Sequence, residues 1–362
     1  MDRGVLAASG DVGGARSLIP VLEELCKEKL MVQVIAHGYI SKYLQQIKSD
    51  FLAVIPDGID AVDKLIKNEK LGVYLFTASV KDIYALSLAR KIKDRGIPVI
   101  CLLDNPVRYK ERLEIDGLPT FSPDIYALPS KDAYLDALQY DFSEDSLHVT
   151  GQPALASLEL EWSSFQDNKR EWDMRDNRWY DSRKLIVFLS EPVEMDQGNA
   201  ESSRGYTEKT VVPVLCNALQ KYSDYIQIGV LPHPREDAKG LLALFEEHCG
   251  RLHWGHLKNC TGRESVFLAD GICGMAAILL YEAWLIGKPV LSLQPGISRD
   301  DYLYITKKKG VCSVTQTVIP EEIVNVWFEE VRNGVVNPSG SEELKIHNNA
   351  VNAVRNIIKN YL

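Results

Sequence analysis

Six short segments carry residue types that could do chemistry. SGDVGGARSLIPVLEEL, Ser9 to Leu25, opens with a glycine-rich turn between an apolar run and a stretch of helical period. Gly10, Gly13 and Gly14 permit a close backbone approach, and a helix start presents free N–H groups to an anion. The spacing is neither G-x-G-x-x-G nor the Walker sequence, so the dinucleotide and P-loop readings fail. A tight strand-to-helix connection explains the loop equally well, and Asp11 within it reads either as a base or as the cap of the following helix. His37 in VIAHGYI and Asp104 in ICLLDNPVRY each follow a predicted strand, with Arg108 and Arg112 downstream. Both would project into one strand-end crevice, where a base for a sugar hydroxyl would sit. A polar loop histidine and a turn-forming Asp-Asn-Pro are the plainer alternatives.

The fourth segment, GVLPHPRED, sets His233 between two prolines that fix the backbone, and Arg235 supplies a phosphate-binding cation. A structural histidine in a proline turn is its alternative. Ser190 and Glu191, in SEP, end the first strand of the second half and would line a cleft opposite the glycine loop. The sixth segment is DGICGMAAILLYEAWLIGKPVLSLQPG, apolar from Met275 to Ile286 except for Glu282. An unpaired buried carboxylate costs several kcal/mol, so Glu282 must be neutralised, hydrogen-bonded or aimed at a ligand. The pattern predicts a loop over Gly271 to Ala277, a helix over Ala276 to Ile286, a stop at Gly287-Lys288-Pro289 and a strand over Val290 to Leu293. Amides of Gly274, Met275, Ala276 and Ala277 would then face outward as an anion site. Glu282 would lie about 8 to 9 Å further along the axis, roughly the distance from a nucleotide's diphosphate to its ribose hydroxyls. A salt-bridged core residue is the bland account of the same carboxylate.

These segments need elements to position them. Val- and Ile-rich runs alternate with helical stretches, the pattern of βαβ units and parallel sheets. Strands are predicted at Gly4 to Ala8, Met31 to Ala36, Gly72 to Phe76, Pro98 to Leu103, Ile125 to Leu128 and Leu147 to Thr150, with helices such as Ala15 to Lys29 and Ile83 to Asp94 between them. After the polar, tryptophan-bearing stretch EWSSFQDNKREWDMRDNRWYDSRK the alternation resumes at Leu185 to Leu189, Ile226 to Val230, Val266 to Leu268, Val290 to Leu293 and Val311 to Val314. The fold class expected is α/β, two Rossmann-like doubly wound domains facing a cleft. The divisions are 1–160, a linker 161–184, a nucleotide-binding domain 185–340 and a closing helix 341–362 that packs back on the first domain. A chain of 362 residues exceeds one ordinary core, in keeping with two domains. The 41 Lys and Arg against 50 Asp and Glu argue against a broad nucleic-acid footprint. Seven scattered cysteines fit reduced thiols in the cytoplasm, and neither a signal-peptide core nor a membrane-length apolar run is present.

The segment GICGMAAILLYEAWLIGKPVLSLQPG resembles the donor-nucleotide motif of GT-B fold glycosyltransferases and the related UDP-N-acetylglucosamine 2-epimerases. In those families a helix N-terminus holds the diphosphate and the Glu of the EA pair binds ribose, which the resemblance carries over to Ala276, Ala277 and Glu282. SGDVGGA is similar to the acceptor-side loop of lipid-A-disaccharide synthase and its relatives, and HVTGQPALASL resembles the segment that ends their first domain. The resemblance implies a metal-independent glycosyltransferase without a cofactor, taking a nucleotide-sugar donor, UDP-linked in preference to CMP-linked, to a hydroxyl acceptor in glycan or polysaccharide synthesis. His233, Arg235, Ser190, Glu191, the Gly274 to Ala277 amides and Glu282 would hold the nucleotide, Gly13 and Gly14 the acceptor, with Asp104, Asp11 or His37 as base. The absence of a D-x-D motif suits stabilisation of the leaving diphosphate by helix termini and Arg. Two rivals stand beside it: a 2-epimerase or nucleotide-sugar hydrolase of the same fold, and an inactive nucleotide-binding scaffold. Trp162, Trp172 and Trp179 with Lys169, Arg170, Arg175, Arg178 and Arg183 read either as packing against the domains or as a peripheral membrane contact for a lipid-linked acceptor.

Overall fold

The computed structural model describes residues 3–47, 53–55, 63–64, 71–80, 82–167, 180–197, 203–299, 301, 304–317 and 321–362. The chain divides into two compact units, Met1–Ser157 with Lys345–Leu362, and Leu158–Leu344. Of the tryptophan-rich stretch, residues 168–179 lie outside the described residues, and with them Trp172, Trp179, Lys169, Arg170, Arg175 and Arg178.

The first unit is built on seven strands: β1 Gly4–Ala8, β2 Val32–Ile35, β3 Ala53–Ile55, β4 Leu71–Thr77, β5 Val99–Leu102, β6 Ile125–Leu128 and β7 Leu147–Val149. Their order is β3-β2-β1-β4-β5-β6-β7, and every neighbouring pair is parallel. Parallel strands joined by helices are covered on both faces, which is why β1 and β4 read as unbroken apolar runs and are buried throughout. One face packs Leu18, Leu22 and Leu25 of the helix Val12–Lys27, together with Val354 and Ile358 from the far end of the chain. The other packs Tyr74, Phe76, Leu88, Ile92 and Tyr126. The buried hydroxyls of Tyr74 and Tyr126 each donate to a carbonyl, of Ala85 and Tyr109, so neither is left unsatisfied in the core.

The second unit has six strands: β8 Lys184–Leu189, β9 Ile226–Leu231, β10 His253–His256, β11 Gly271–Gly274, β12 Val290–Leu293 and β13 Val311–Val314. Their order is β10-β9-β8-β11-β12-β13, again parallel throughout. In both sheets the chain runs outward in one direction, then returns to the middle and runs out the other way. Such a reversal leaves a crevice at the carboxyl ends of the two central strands, where open α/β sheets take ligands. The reversal falls between β1 and β4 in the first unit and between β8 and β11 in the second.

Three expectations are corrected here. Val266 to Leu268 is not a strand but the end of the helix Gly262–Leu268, whose start is fixed by a capping box: Thr261 accepts from the Glu264 amide while Glu264 accepts from the Thr261 amide. The strand of this stretch is Gly271–Gly274, expected as loop, and its glycines have a packing cause. A Cβ on Gly274 would stand 2.6 Å from the Leu189 carbonyl oxygen, and one on Gly271 would stand 2.4 Å from Val331 Cγ2. The following helix is Ile278–Leu285, so it begins two residues later than Ala276. Two edge strands, β3 and β10, were not anticipated. The helix Leu158–Asp167 occupies the beginning of the polar stretch, and Trp162 packs there against Phe165 and Phe267.

Candidate functional site

At the carboxyl ends of the first sheet, the glycine loop is packed by side chains of its own unit. A Cβ on Gly13 would lie 2.4 Å from Asp104 Oδ2, one on Gly14 2.0 Å from Thr77 Oγ1, and one on Gly10 1.3 Å from Asp82 Oδ2. These glycines are therefore demanded by two carboxylates and a hydroxyl that close over the turn, a requirement that holds with or without a ligand. Asp11 caps the helix, its Oδ1 accepting from the Gly14 amide at 2.8 Å. Asp104 follows β5 and pairs with Arg112, Oδ1 to Nη1 at 2.7 Å, while the same guanidinium donates to the Ala78 and Val107 carbonyls. Burial pushes the Asp104 carboxyl up, Arg112 pulls it back, and Asp11 adds to the rise. His37 follows β2 and is bonded through Nε2 to Asp82 Oδ2 at 2.8 Å, with the Tyr84 ring stacked on the imidazole at 4.4 Å. Asp82 is itself fixed, since its Oδ1 accepts from the Tyr84 amide. Asp11, Gly13 and Asp104 thus form one group, and His37 and Asp82 another beside Gly10.

In the second unit, Ser190 and Glu191 leave β8 at the sheet's reversal point. Glu191 Oε2 accepts from the Ala276 amide at 2.5 Å, and Arg204 stands 4.0 Å from its other oxygen. One of the amides expected to face a phosphate is thus held by a carboxylate of the chain itself. Beyond it, the helix Ile278–Leu285 starts from Ala277 without a side-chain cap. The amides of Ala277, Ile278 and Leu279 have no acceptor among the described residues, and Ile278 is 44% exposed. An uncapped, outward-facing helix start at a topological switch point suits an anion. Met275 is fully buried in the core, and its carbonyl accepts from the Ser292 hydroxyl. Ser190 donates to Glu236 Oε1, whose Oε2 accepts from the His233 amide, so Ser190 and His233 are tied through a carboxylate the sequence reading did not single out. Burial lowers the His233 pKa, with Arg235 adding to the effect. Arg235 itself is spent on a two-pronged pair with Asp196, at 2.8 and 2.7 Å.

Glu282 is 5% exposed and lies in the fork of Arg263, Oε2 to Nε at 2.8 Å and Oε1 to Nη2 at 3.3 Å. The guanidinium reaches on to Glu161 at 2.9 and 3.0 Å, and the three side chains form one chain of charge. The carboxylate in the apolar helix is therefore paired inside the protein.

The Glu191 carboxyl permits a pH prediction. Burial pushes it above its ordinary 4.5, against the pull of the Ala276 amide and Arg204. Between the unfolded and the folded pKa the folded chain keeps a proton that the unfolded chain has released, so rising pH through that interval costs stability. Glu191→Gln keeps an oxygen for the Ala276 amide and never ionises. It is expected to raise Tm at pH 8 and to bring no gain at pH 4; an unchanged difference across that range would contradict the assignment.

Comparisons with protein-family models and with curated proteins give no match. Solved structures do match. The UDP-GlcNAc 2-epimerase from Neisseria meningitidis bound to UDP-GlcNAc aligns with TM-score 0.66 at 14% identity, over 99% of this chain and 100% of that one. The S. aureus MnaA–UDP structure aligns with TM-score 0.68 at 13% identity, over 99% and 96%. MurG of Acinetobacter baumannii aligns with TM-score 0.59 at 14% identity, over 99% and 100%. The chain has the GT-B fold. Likeness at these identities establishes the GT-B architecture, two Rossmann-like units each with its reversal point, and among the described residues no helix is long and apolar enough to cross a membrane. Of the residues bonded or ion-paired to the expected site residues, Asp82, Glu236, Arg204 and Arg263 escaped the sequence reading. Glu236 stood within reach of that reading, inside the segment GVLPHPRED and three residues after His233.

Proposed function

We propose that this chain is a nucleotide-sugar enzyme that transfers a sugar to a hydroxyl acceptor. The observation that carries the reading is the uncapped helix start at Ala277–Leu279, at the reversal point of the second sheet. Three amides without protein acceptors there match a diphosphate in charge and in direction. Two of the aligned proteins are described with UDP or UDP-GlcNAc, which favours a uridine donor. Glu282 remains the proposed ribose contact: a carboxylate has about four acceptor positions, and the Arg263 fork takes two. In the first unit His37, held by Asp82, is the proposed base for the acceptor hydroxyl, with Asp104 as the alternative. Developing charge on the leaving diphosphate would be met by the same three amides.

A second reading, epimerisation at the sugar's C2 without an acceptor, is favoured by the alignment to the Neisseria 2-epimerase. Thermal shifts with UDP, CMP, GDP and TDP test the shared part. A nucleotide at 100 times its Kd should add about 2.7 kcal/mol, and a flat response to all four would remove the donor site. UDP-GlcNAc in heavy water without acceptor then divides the readings: deuterium at C2 identifies the epimerase, whereas sugar transferred only when a hydroxyl acceptor is supplied identifies the transferase.

A further inference from the structure

We propose that the acceptor taken by the first unit is an anionic sugar, bearing a phosphate or a carboxylate, and that Arg16 and Arg108 bind its charged group. Both arginines belong to segments that meet at the carboxyl ends of the first sheet. Arg108 lies four residues after Asp104, and its carbonyl accepts from the Arg112 amide at 3.1 Å. Arg112 donates through Nε to the Val107 carbonyl at 3.0 Å and through Nη1 to Asp104 at 2.7 Å, which keeps the Arg108 backbone beside the Asp104 pair. Arg16 lies three residues after Gly13 on the same helix face, and Gly13 is the glycine that packs against Asp104. Both arginines are exposed, and among the described residues neither side chain has a hydrogen bond or an ion pair.

Neither placement is one that folding alone favours. Arg108 has φ +56°, a left-handed conformation that strains any residue with a Cβ, and such strain concentrates where ligands bind. Arg16 stands just past the first turn of the helix Val12–Lys27, the end at which the helix dipole disfavours a cation, and that turn holds no acidic residue. The aspartates of this edge are meanwhile engaged inside the chain: Asp104 by Arg112, Asp82 by His37 and Asp11 by the Gly14 amide. Glu111, three residues after Arg108, makes no ion pair with it. Two guanidinium groups are thus left unmatched at the ligand-binding edge of the sheet. Their planar forks suit the paired oxygens of a phosphate or a carboxylate. That the anion sits on an acceptor sugar rests on the transferase reading; the anion site itself does not.

The test uses the full chain and saturation-transfer NMR titrations with glucose 6-phosphate and glucuronate, glucose as the neutral control, and UDP affinity on the same samples. At least one anionic sugar should bind the wild type about tenfold more tightly than glucose, and added salt should weaken it. Which of the two prevails distinguishes phosphate from carboxylate. Arg108→Gly and Arg16→Ala should each weaken the anionic sugar about tenfold, the loss of one charge-assisted contact. Glycine adopts the left-handed backbone freely and alanine is the best helix former, so Tm should stay at or above that of the wild type in both variants. UDP affinity should stay within about twofold, because the proposed nucleotide site lies in the other unit. Neither anion binding better than glucose, unchanged binding in both variants, or an equal fall in UDP affinity overturns the proposal. Anionic-sugar binding that depends on the arginines while UDP fails to bind sinks the nucleotide reading and leaves this one standing.

Discussion

Glu282→Ala is expected to cost about 3 kcal/mol of stability, among the largest losses any polar substitution in this chain should produce. Removing one partner of a buried ion pair typically costs about 3–5 kcal/mol, because the other charge is left uncompensated. Here the lower end applies, since Arg263 keeps Glu161 and its side chain is 21% exposed. Urea unfolding at unchanged m-value gives the figure. The double variant Glu282→Leu with Arg263→Leu should recover most of the loss, since it removes both charges and fills the space with apolar atoms. A loss below about 1 kcal/mol in the single variant would mean that the pair is solvated after all. Stability and UDP affinity report on different partners of one carboxylate. If Glu282→Gln folds normally and binds UDP as the wild type does, the ribose contact is gone from the proposal while the Arg263 pair remains.

Gly151→Ala is the second large effect. Gly151 has φ +83°, a left-handed conformation, and a Cβ there would stand 2.6 Å from the Ile346 carbonyl oxygen. The left-handed conformation alone costs a residue with a Cβ about 1–2 kcal/mol. The clash falls on backbone, which cannot rotate aside as a flexible side chain would, so a total above about 2 kcal/mol is expected. Gly117→Ala provides the control: φ is +76° and nothing lies within 4 Å of the added Cβ, so only the conformational part is paid there. The difference between the two variants in calorimetric Tm isolates the contact with the C-terminal segment. Equal losses would show that the segment yields at no cost.

Much of the architecture was legible because it rests on local pattern. β1, Ile125–Leu128, Val290–Leu293 and Val311–Val314 fall where short apolar runs between turn residues put them. Val266–Leu268 misled because three apolar residues fit a strand and one helical turn alike, and the arbitrating signal, Thr261 with Glu264, stood just before them. Gly271–Gly274 was hidden for the opposite reason, since two of its four residues are glycines selected by neighbours distant in sequence. The site shows the same division. Loops that end strands are readable as such, whereas pairs such as His37 with Asp82, Glu282 with Arg263 and Glu191 with the Ala276 amide join positions 45, 19 and 85 residues apart. No period or motif encodes those distances. The carboxylate in the apolar helix announced that a partner existed, and only the fold named it.

The return of Lys345–Leu362 to the first unit has a consequence for how the molecule is made. On the ribosome, the first 157 residues emerge before Val354 and Ile358, which complete the apolar cluster around Leu18, Leu22 and Leu25. The intervening unit, Leu158–Leu344, must be synthesised first, a wait of roughly 10 to 40 s at about 5–20 residues per second. For that interval the nascent first unit shows an uncovered greasy seam along the helix Val12–Lys27, a natural landing place for a chaperone. The helix Ala350–Lys359, made after the whole of the intervening unit, is the one that closes it.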